Sequence, residues 1–565
     1  MSHPIWAALV QAALHGFVLP QRCHASQGRT LIRRVVASPA IFCLAIAAMM
    51  FVGRWPWLSV SRELNPDESC FLAQAARYTV DVVPWRATHS GTSGPLTPWL
   101  LAGLWRCGVP LNYPTTHFLA LGLQVLVVCL AYGTLRIVAA EMPARCATMP
   151  VALLLSRTGD NDFVHLSSEN VPLVLLAGCA QAAALGLRAK SMRAAFGWLV
   201  VAGMCAGSVP FSKLQAGPMA LVISTVVTVA ILMMTRPIQH RLRLATAFVA
   251  GGLVVPCLIL WVVWRGGAWE EMMRLYIDAN LAYGDRRAGG TPFPMRFVRL
   301  VWQSRLFTIL GTATVVIVIA ALARRGWQRD VMTQRGMQGG WIACGILVAT
   351  TAFCIAKPGY DFRHYLMLLT LPCILTIGFA LFGLEQHADR TAGWLVRPSV
   401  VPALAVSSAA AITCWAAGAP FLEGRPALQR LATTSAQPSA AEAMRAAALS
   451  ATHEEIAVWG WRADIYVDAA RRPAVRDVAP VPDAVAAGRF VEDLRANKPR
   501  LFIDAVCPVG FPAIIWPVFG PALIDRRLGG HETFPELGDY IARHYVGREQ
   551  VRYSGLGSVR IYERR

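Results

Sequence analysis

Charge is scarce in this chain. Only 15% of its 565 residues are Asp, Glu, Lys or Arg, against roughly 25% in an ordinary soluble protein. Acidic residues are the rarer sign, 33 against 53 basic ones, which leaves a formal net charge of +20. In a soluble chain such an excess points first to nucleic acid. Here no basic stripe with interleaved aromatics exists. The arginines gather at the ends of apolar runs, a distribution that suits orientation in a bilayer and attraction to anionic lipid. The 14 cysteines include no CxxC pair and no Cys/His spacing for zinc. Most lie inside apolar runs, such as Cys43, Cys129, Cys179, Cys205, Cys257 and Cys344, where cysteine behaves as a small apolar residue. Cys70 and Cys507 fall in aqueous segments outside the cytoplasm, and a bridge between them is left open.

What the chain has instead is apolar length, with a mean hydropathy of +0.46. A bilayer core forces each spanning segment to satisfy its own backbone, so apolar runs of roughly 17–25 residues read as helices. They lie near 35–53, 116–137, 146–159, 171–187, 194–210, 216–235, 244–264, 306–323, 340–356, 364–384 and 398–417, about eleven spans. The third is short and has room to start earlier. Basic residues mark one set of loops: Arg22, Arg29, Arg33 and Arg34, then Arg136 and Arg145, then Arg188, Lys190 and Arg193. Arg236, Arg241 and Arg243 follow, then Arg324, Arg325, Arg329 and Arg335, then Arg390 and Arg397. The positive-inside rule places these in the cytoplasm, with the N-terminus, and puts the C-terminus outside. The apolar stretch 5–20 is short for a span and reads as an interfacial helix. It lacks the charged start and cleavage site of a signal peptide.

The expected architecture is a polytopic all-α membrane protein with a small soluble α/β domain at its C-terminal end. Residues 1–34 form a cytoplasmic segment, 35–417 the membrane domain, and 418–565 a linker followed by the external domain. Two large external loops, 54–115 and 265–305, interrupt the spans. Within the first, 66–79 and 96–106 read as surface helices, with Trp99 and Trp105 suited to the membrane interface. In the tail, Ile456–Trp461, Ile465–Val467, Leu501–Ala505 and Val559–Tyr562 read as strands, and 483–496 and 536–546 as helices.

The chemistry-bearing residues cluster outside. Asn65-Pro66-Asp67-Glu68 is a helix start: Asn at N-cap, Pro at N1, Glu placed for a capping box. Asp67 lies in the first turn, where the helix dipole favours an anion. The same geometry presents a carboxylate at the membrane surface, poised to take a proton. Both roles fit together if Glu68 caps while Asp67 reacts. Asp160, Asp162 and Glu169 form a second acidic loop on the same side. Arg86, His89, Lys213, Lys357, Arg363 and His364 sit near the outer ends of spans. Each suits snorkelling to headgroups; together they suit a lipid-linked phosphate, to which Arg offers a fork and Lys a point charge. The span interiors hold few ionisable groups, which disfavours a transporter.

Several of these stretches carry a resemblance. Asn65-Pro66-Asp67-Glu68, Phe71-Leu72-Ala73-Gln74-Ala75, Pro84-Trp85-Arg86 and Thr92-Ser93-Gly94-Pro95-Leu96 resemble the first external loop of GT-C glycosyltransferases. These polyprenyl-phosphate-sugar-dependent enzymes include protein O-mannosyltransferases and the aminoarabinose transferases of lipid A. The chain looks closest to the bacterial RgtA/B/C/D-like or family-39-like group. His165-Leu166-Ser167-Ser168-Glu169-Asn170, Phe211-Ser212-Lys213-Leu214-Gln215, His364-Tyr365-Leu366 and Val458-Trp459-Gly460-Trp461 look like further segments of that group. The resemblance implies an inverting sugar transfer at the outer face of a bacterial inner membrane, onto an envelope glycan, lipid or protein. It implies Asp67 as general base, Glu68 as its partner, and Glu169 at a second acidic position that is Asp in several relatives. Arg363 and His364 would contact the donor phosphate. Some of these enzymes use a divalent cation and others do not; no ligand set is assigned from the sequence. The competing readings are a lipid-linked oligosaccharide ligase or polymerase, a transporter or flippase, and a scaffold in which Asp67 is only a cap.

Overall fold

A computed structural model describes residues 38–89, 91–285, 292–325, 331–358, 361–391, 445–451, 454–506, 530–553 and 557–565. The expected segment 1–34, the eleventh span at 398–417, nearly all of the 418–450 linker and Cys507 lie outside the described residues.

Helix α1 (Pro39–Leu58) leads into the first external loop, which carries α2 (Pro66–Tyr78) and α3 (Leu96–Arg106). Then come α4 (Tyr113–Val138), α5 (Glu141–Arg157), α6 (Asn170–Arg188), α7 (Met192–Ser212), α8 (Gly217–Leu232) and α9 (Ile238–Arg265). The second loop holds a π-helical turn at Met273–Asp278 and α10 (Phe293–Gln303). Helices α11 (Arg305–Arg325), α12 (Val331–Ala356) and α13 (Thr370–Thr391) complete the described bundle, the last entered through a 3-10 stretch at Arg363–Leu369. Among the described residues nine helices are long and apolar enough to cross a bilayer. Helix α5 corresponds to the short third run; it begins at Glu141, in the direction the sequence left room for.

Bundle packing relies on small residues where apolar burial supplies no preference between lipid and protein. Helices α7 and α9 approach so closely that a Cβ on Gly203 would overlap the Phe248 carbonyl oxygen, and one on Gly207 that of Gly252. Arg54 falls inside α1 rather than beyond it. It is buried, and its guanidinium donates to the carbonyls of Leu155 (2.6 Å) and Phe163 (3.0 Å) and to Gln124 Oε1 (3.0 Å). A guanidinium at this depth needs such acceptors, and through them α1 anchors the second acidic loop.

The C-terminal domain is a five-stranded sheet: β1 (Glu455–Trp459), β2 (Arg472–Pro473), β3 (Leu501–Asp504), β4 (Tyr545–Tyr553) and β5 (Gly557–Arg564), in the order β2-β1-β3-β5-β4. The first three run parallel; β5 and β4 are antiparallel. Alternation divides the inner strands into two apolar faces. Ile456, Val458, Ile503 and Ile561 face one way; Ala457, Trp459 and Phe502 face helices α15 (Ala484–Asn497) and α16 (Pro535–His544). The stretch expected as a strand at Ile465–Val467 is instead α14 (Asp464–Asp468). Three apolar residues are too few to fix a period. Here the Tyr466 hydroxyl accepts from Val458 N–H at 2.8 Å, which seats the turn on β1. Strand β4 carries no strand signature in the sequence: it is the sheet's edge strand, paired with β5 among the described residues, and its residues are mixed polar ones.

The sheet rests on α2. Ala73 belongs to its first apolar cluster, and Arg77 donates to the Pro473 carbonyl at 3.1 Å. The Arg476 carbonyl accepts from His89 N–H (2.8 Å) and from the Thr88 hydroxyl (2.9 Å).

Candidate active site

The helix start at Asn65 forms as its local chemistry dictates. Asn65 Oδ1 accepts from Asp67 N–H at 3.1 Å, and Pro66 occupies the first turn. Glu68 reaches back to Leu64 N–H at 2.9 Å, one residue beyond the usual capping-box partner. It does more than cap. The same carboxylate, 0% exposed, accepts from Leu166 N–H (3.0 Å) and the Thr116 hydroxyl (3.2 Å), and lies 3.2 Å from His117 Nε2. Burial works against its charge, but His117 and these donors outweigh it and hold the pKa below the usual carboxylate range. Glu68 thus joins the first loop, α4 and the second acidic loop at one point.

The two acidic loops meet directly. Asn65 Nδ2 donates to Asp162 Oδ1 at 3.1 Å, and Asn161 Nδ2 to the Leu64 carbonyl at 3.3 Å. This contact brings Asp67 to two histidines that are distant in sequence. His364 Nε2 lies 3.9 Å from Asp67 Oδ2, and the rings of His165 and His364 meet edge to face at 5.7 Å. His364 also stacks on Phe362 at 5.3 Å. His165 Nδ1 is 2.8 Å from the Asn161 carbonyl. A carbonyl only accepts, so Nδ1 carries a proton. His165 Nε2 and His364 Nδ1 are buried with no hydrogen-bond partner. Asp67 is the open member, its side chain 29% exposed.

A second charged layer lies beside the first. Glu169 and Lys213 form an ion pair, their side chains 0% and 1% exposed. Lys213 Nζ also donates to Ser168 Oγ at 2.6 Å and sits 4.4 Å from the centre of the Tyr365 ring. Burial opposes the Glu169 charge, yet Lys213 and then His364 prevail and hold its carboxyl well below the usual range. Lys213 is placed by the first loop: Ser93 bridges to it, and Gly94 N–H donates to the Ser212 carbonyl at 2.8 Å. A Cβ on Gly94 would overlap the Phe211 carbonyl oxygen, so this approach requires glycine. Arg363 pairs with Asp160 at 2.8 Å and Asp162 at 3.3 Å. Burial and then Asp162 push the Asp160 carboxyl up, against the pull of Arg363.

The structure therefore groups Asp67, Glu68, Glu169, Lys213, Arg363 and His364. Three other expected cations have different surroundings. Arg86 is exposed and engages Asp81 (2.8 Å) and the Gly266 carbonyl (2.9 Å). His89 lies against the C-terminal domain, where burial, followed by Arg489, Arg476 and Arg274, pushes its pKa down to about 3. Lys357 is exposed at the end of α12. His165 and His117 were not picked out individually as site residues by the sequence. The segment around His165 carries the family resemblance, but a single histidine in it gives no sign of its partners.

Asp67, His165 and His364 each offer a ligand atom, all within 4.8 Å of one another. One carboxylate and two imidazoles form a donor set that suits a divalent transition ion. His165 Nδ1 held on a backbone carbonyl is the outer-sphere support such ligands use. The same imidazoles, protonated, donate to a phosphate oxygen.

No family model matches the chain, and no curated protein matches it. Solved structures do. ArnT from Cupriavidus metallidurans is 14% identical over 95% of this chain and 98% of its own, with a TM-score of 0.53 bound to undecaprenyl phosphate and 0.52 in the apo state. The Archaeoglobus fulgidus oligosaccharyltransferase tethered to an acceptor peptide is 12% identical over 92% of this chain and 74% of its own, at a lower TM-score of 0.45. At 14% identity the likeness to ArnT is one of fold, and together with the apolar helices it gives this chain a multi-pass membrane architecture of the GT-C fold.

Proposed function

We propose that the protein is an integral membrane glycosyltransferase. It transfers a sugar from a polyprenyl-phosphate donor to a cell-envelope glycan, lipid or protein at the outer face of a bacterial inner membrane. One observation carries the reading: five carboxylates converge, Asp160 and Asp162 are paired with Arg363, and among the described residues one is left open. Glu68 and Glu169 are buried and committed to partners, whereas Asp67 is partly exposed beside two buried imidazoles. Asp67 takes the proton from the acceptor hydroxyl or amine. The freed lone pair attacks the anomeric carbon, the bond from that carbon to the phosphate oxygen breaks, and polyprenyl phosphate leaves with inversion. A general base contributes about 10²–10⁴-fold to such a step. His364, His165 and Arg363 line the same place and stabilise the charge that develops on phosphate. Glu68 and the Glu169–Lys213 pair hold the loops in register and are positioning groups.

Likeness of fold to ArnT bound to undecaprenyl phosphate supports a lipid-linked donor. The test is transfer of label from polyprenyl-phosphate sugars into envelope material by membranes containing the protein, with the anomeric configuration of the product read by NMR. An inverted product supports the reading. Movement of the donor across proteoliposomes without transfer would instead favour a flippase. A second reading, in which Asp67, His165 and His364 hold a divalent cation that binds the donor phosphate, is favoured by the partnerless His165 Nε2. It predicts loss of transfer after chelation and recovery with added metal.

A further inference from the structure

The opposite end of the bundle carries a feature that sugar transfer does not use. Helices α4 and α6 start beside the candidate site and end at Val138 and Arg188. The 26 residues of α4 set these ends roughly 40 Å apart at about 1.5 Å per residue. There, an open groove of about 470 Å³ lies between the ends of α4 and α6 and the start of α7. Ile137, Leu185 and Trp198 form an apolar wall, and Arg188, Lys190 and Ser191 its polar rim. Arg188 and Lys190 are exposed, and neither has an acidic partner among the described residues. No acid is near in sequence: between Glu169 and Glu270 the chain contains no Asp or Glu at all. The turns at this end hold Arg188, Lys190, Arg193, Arg236, Arg241 and Arg243 in that same acid-free stretch. Arg236 donates to the Ala189 carbonyl at 2.6 Å, so the rim is pinned in shape.

We infer that this groove binds an anionic phospholipid, its phosphate on Arg188 and Lys190 and an acyl chain along Ile137, Leu185 and Trp198. Charge complementarity selects the headgroup. An unneutralised cation pair at the membrane surface attracts anionic lipid, and a tryptophan beside it suits the interface. The apolar wall selects a lipid over a free phosphate, because Ile137, Leu185 and Trp198 lie directly beside the cationic rim and offer an acyl chain a surface that a soluble anion cannot use.

The test uses the purified full-length chain in detergent, titrated with short-chain phosphatidylglycerol, with phosphatidylcholine as the neutral control. Phosphatidylglycerol is expected to bind at least tenfold tighter. R188Q/K190Q is expected to weaken it about fivefold per charge removed and Trp198→Ala to weaken both lipids, while Arg243→Gln, on the same face but outside the groove, stays within twofold. Rim residues are exposed, so thermal melts should be unchanged and a loss of binding is not a loss of fold. Equal binding of the two lipids would overturn the inference. So would an Arg243→Gln effect equal to the double variant, which means diffuse surface charge. Displacement of phosphatidylglycerol by millimolar inorganic phosphate would also overturn it, since it assigns the site to a free anion.

Discussion

Buried charge is handled differently in the C-terminal domain and at the outer membrane face. In the domain, Asp493 accepts from both the backbone and the Nε of Arg476 at 2.7 Å, Arg462 forks onto Asp464, and Asp504 receives His531 Nδ1 at 2.5 Å. Each of these carboxylates is matched, and the result is a fixed shape. At the membrane face the matching stops one group short. Glu68 and Glu169 are fully engaged, but among the described residues Asp67 meets only His364, at 3.9 Å, and His165 Nε2 and His364 Nδ1 beside it are buried without a partner. Buried polar atoms without partners are costly. On the proposed function, the partnerless imidazole atoms beside one open carboxylate are where the donor phosphate binds.

The contrast can be broken residue by residue. The largest effect on stability is expected from Lys213→Met, which strands the buried Glu169 charge and should cost about 3–5 kcal/mol in thermal or denaturant unfolding. Adding Glu169→Gln should restore most of that stability; a strongly additive loss would mean the pair is not coupled. Glu68→Gln keeps the shape but weakens four contacts around a buried charge. About 2 kcal/mol of destabilisation is expected, with residual transfer tracking the folded fraction.

The Glu169 pair also predicts acid sensitivity. Its folded pKa lies near 2, below the roughly 4.3 of an unfolded glutamate. The stability it contributes is therefore complete above about pH 4.3 and lost as pH falls toward 2. Melts between pH 5 and 3 should show a steeper decline in wild type than in Glu169→Gln/Lys213→Met. Smallest is Arg77→Ala, at the seam between α2 and the sheet. Removing its bonds to the Pro473 and Ala87 carbonyls should cost about 1 kcal/mol, read as faster proteolysis of the C-terminal domain.

Much of the fold is legible in the sequence. Asn65-Pro66 specifies a helix start by capping chemistry alone, and the helix runs Pro66–Tyr78 where 66–79 was expected. Long apolar runs specify spans because lipid leaves the backbone no other choice. Local reasoning failed where the deciding contact is remote. His165 and His364 converge on Asp67 only because Arg54, Glu68 and Asn65 pull the loop after α5 against the start of α2. Nothing within a few residues of either histidine records that. The Glu169–Lys213 pair is of the same kind, set by a glycine, Gly94, in a third segment. Within the sheet, Ile465–Val467 has strand composition but is claimed by the turn that seats Tyr466 on β1.

The most direct test of the central claim compares Asp67→Asn with wild type at matched expression, reading sugar transfer and melting temperature together. Asparagine keeps the shape and the first-turn position, so the fold should be unchanged to within about 1 kcal/mol. Removing the base should lower transfer by about 10²–10⁴-fold. Transfer that survives the substitution in a normally folded protein would contradict the account and leave Asp67 as a residue of the helix start alone.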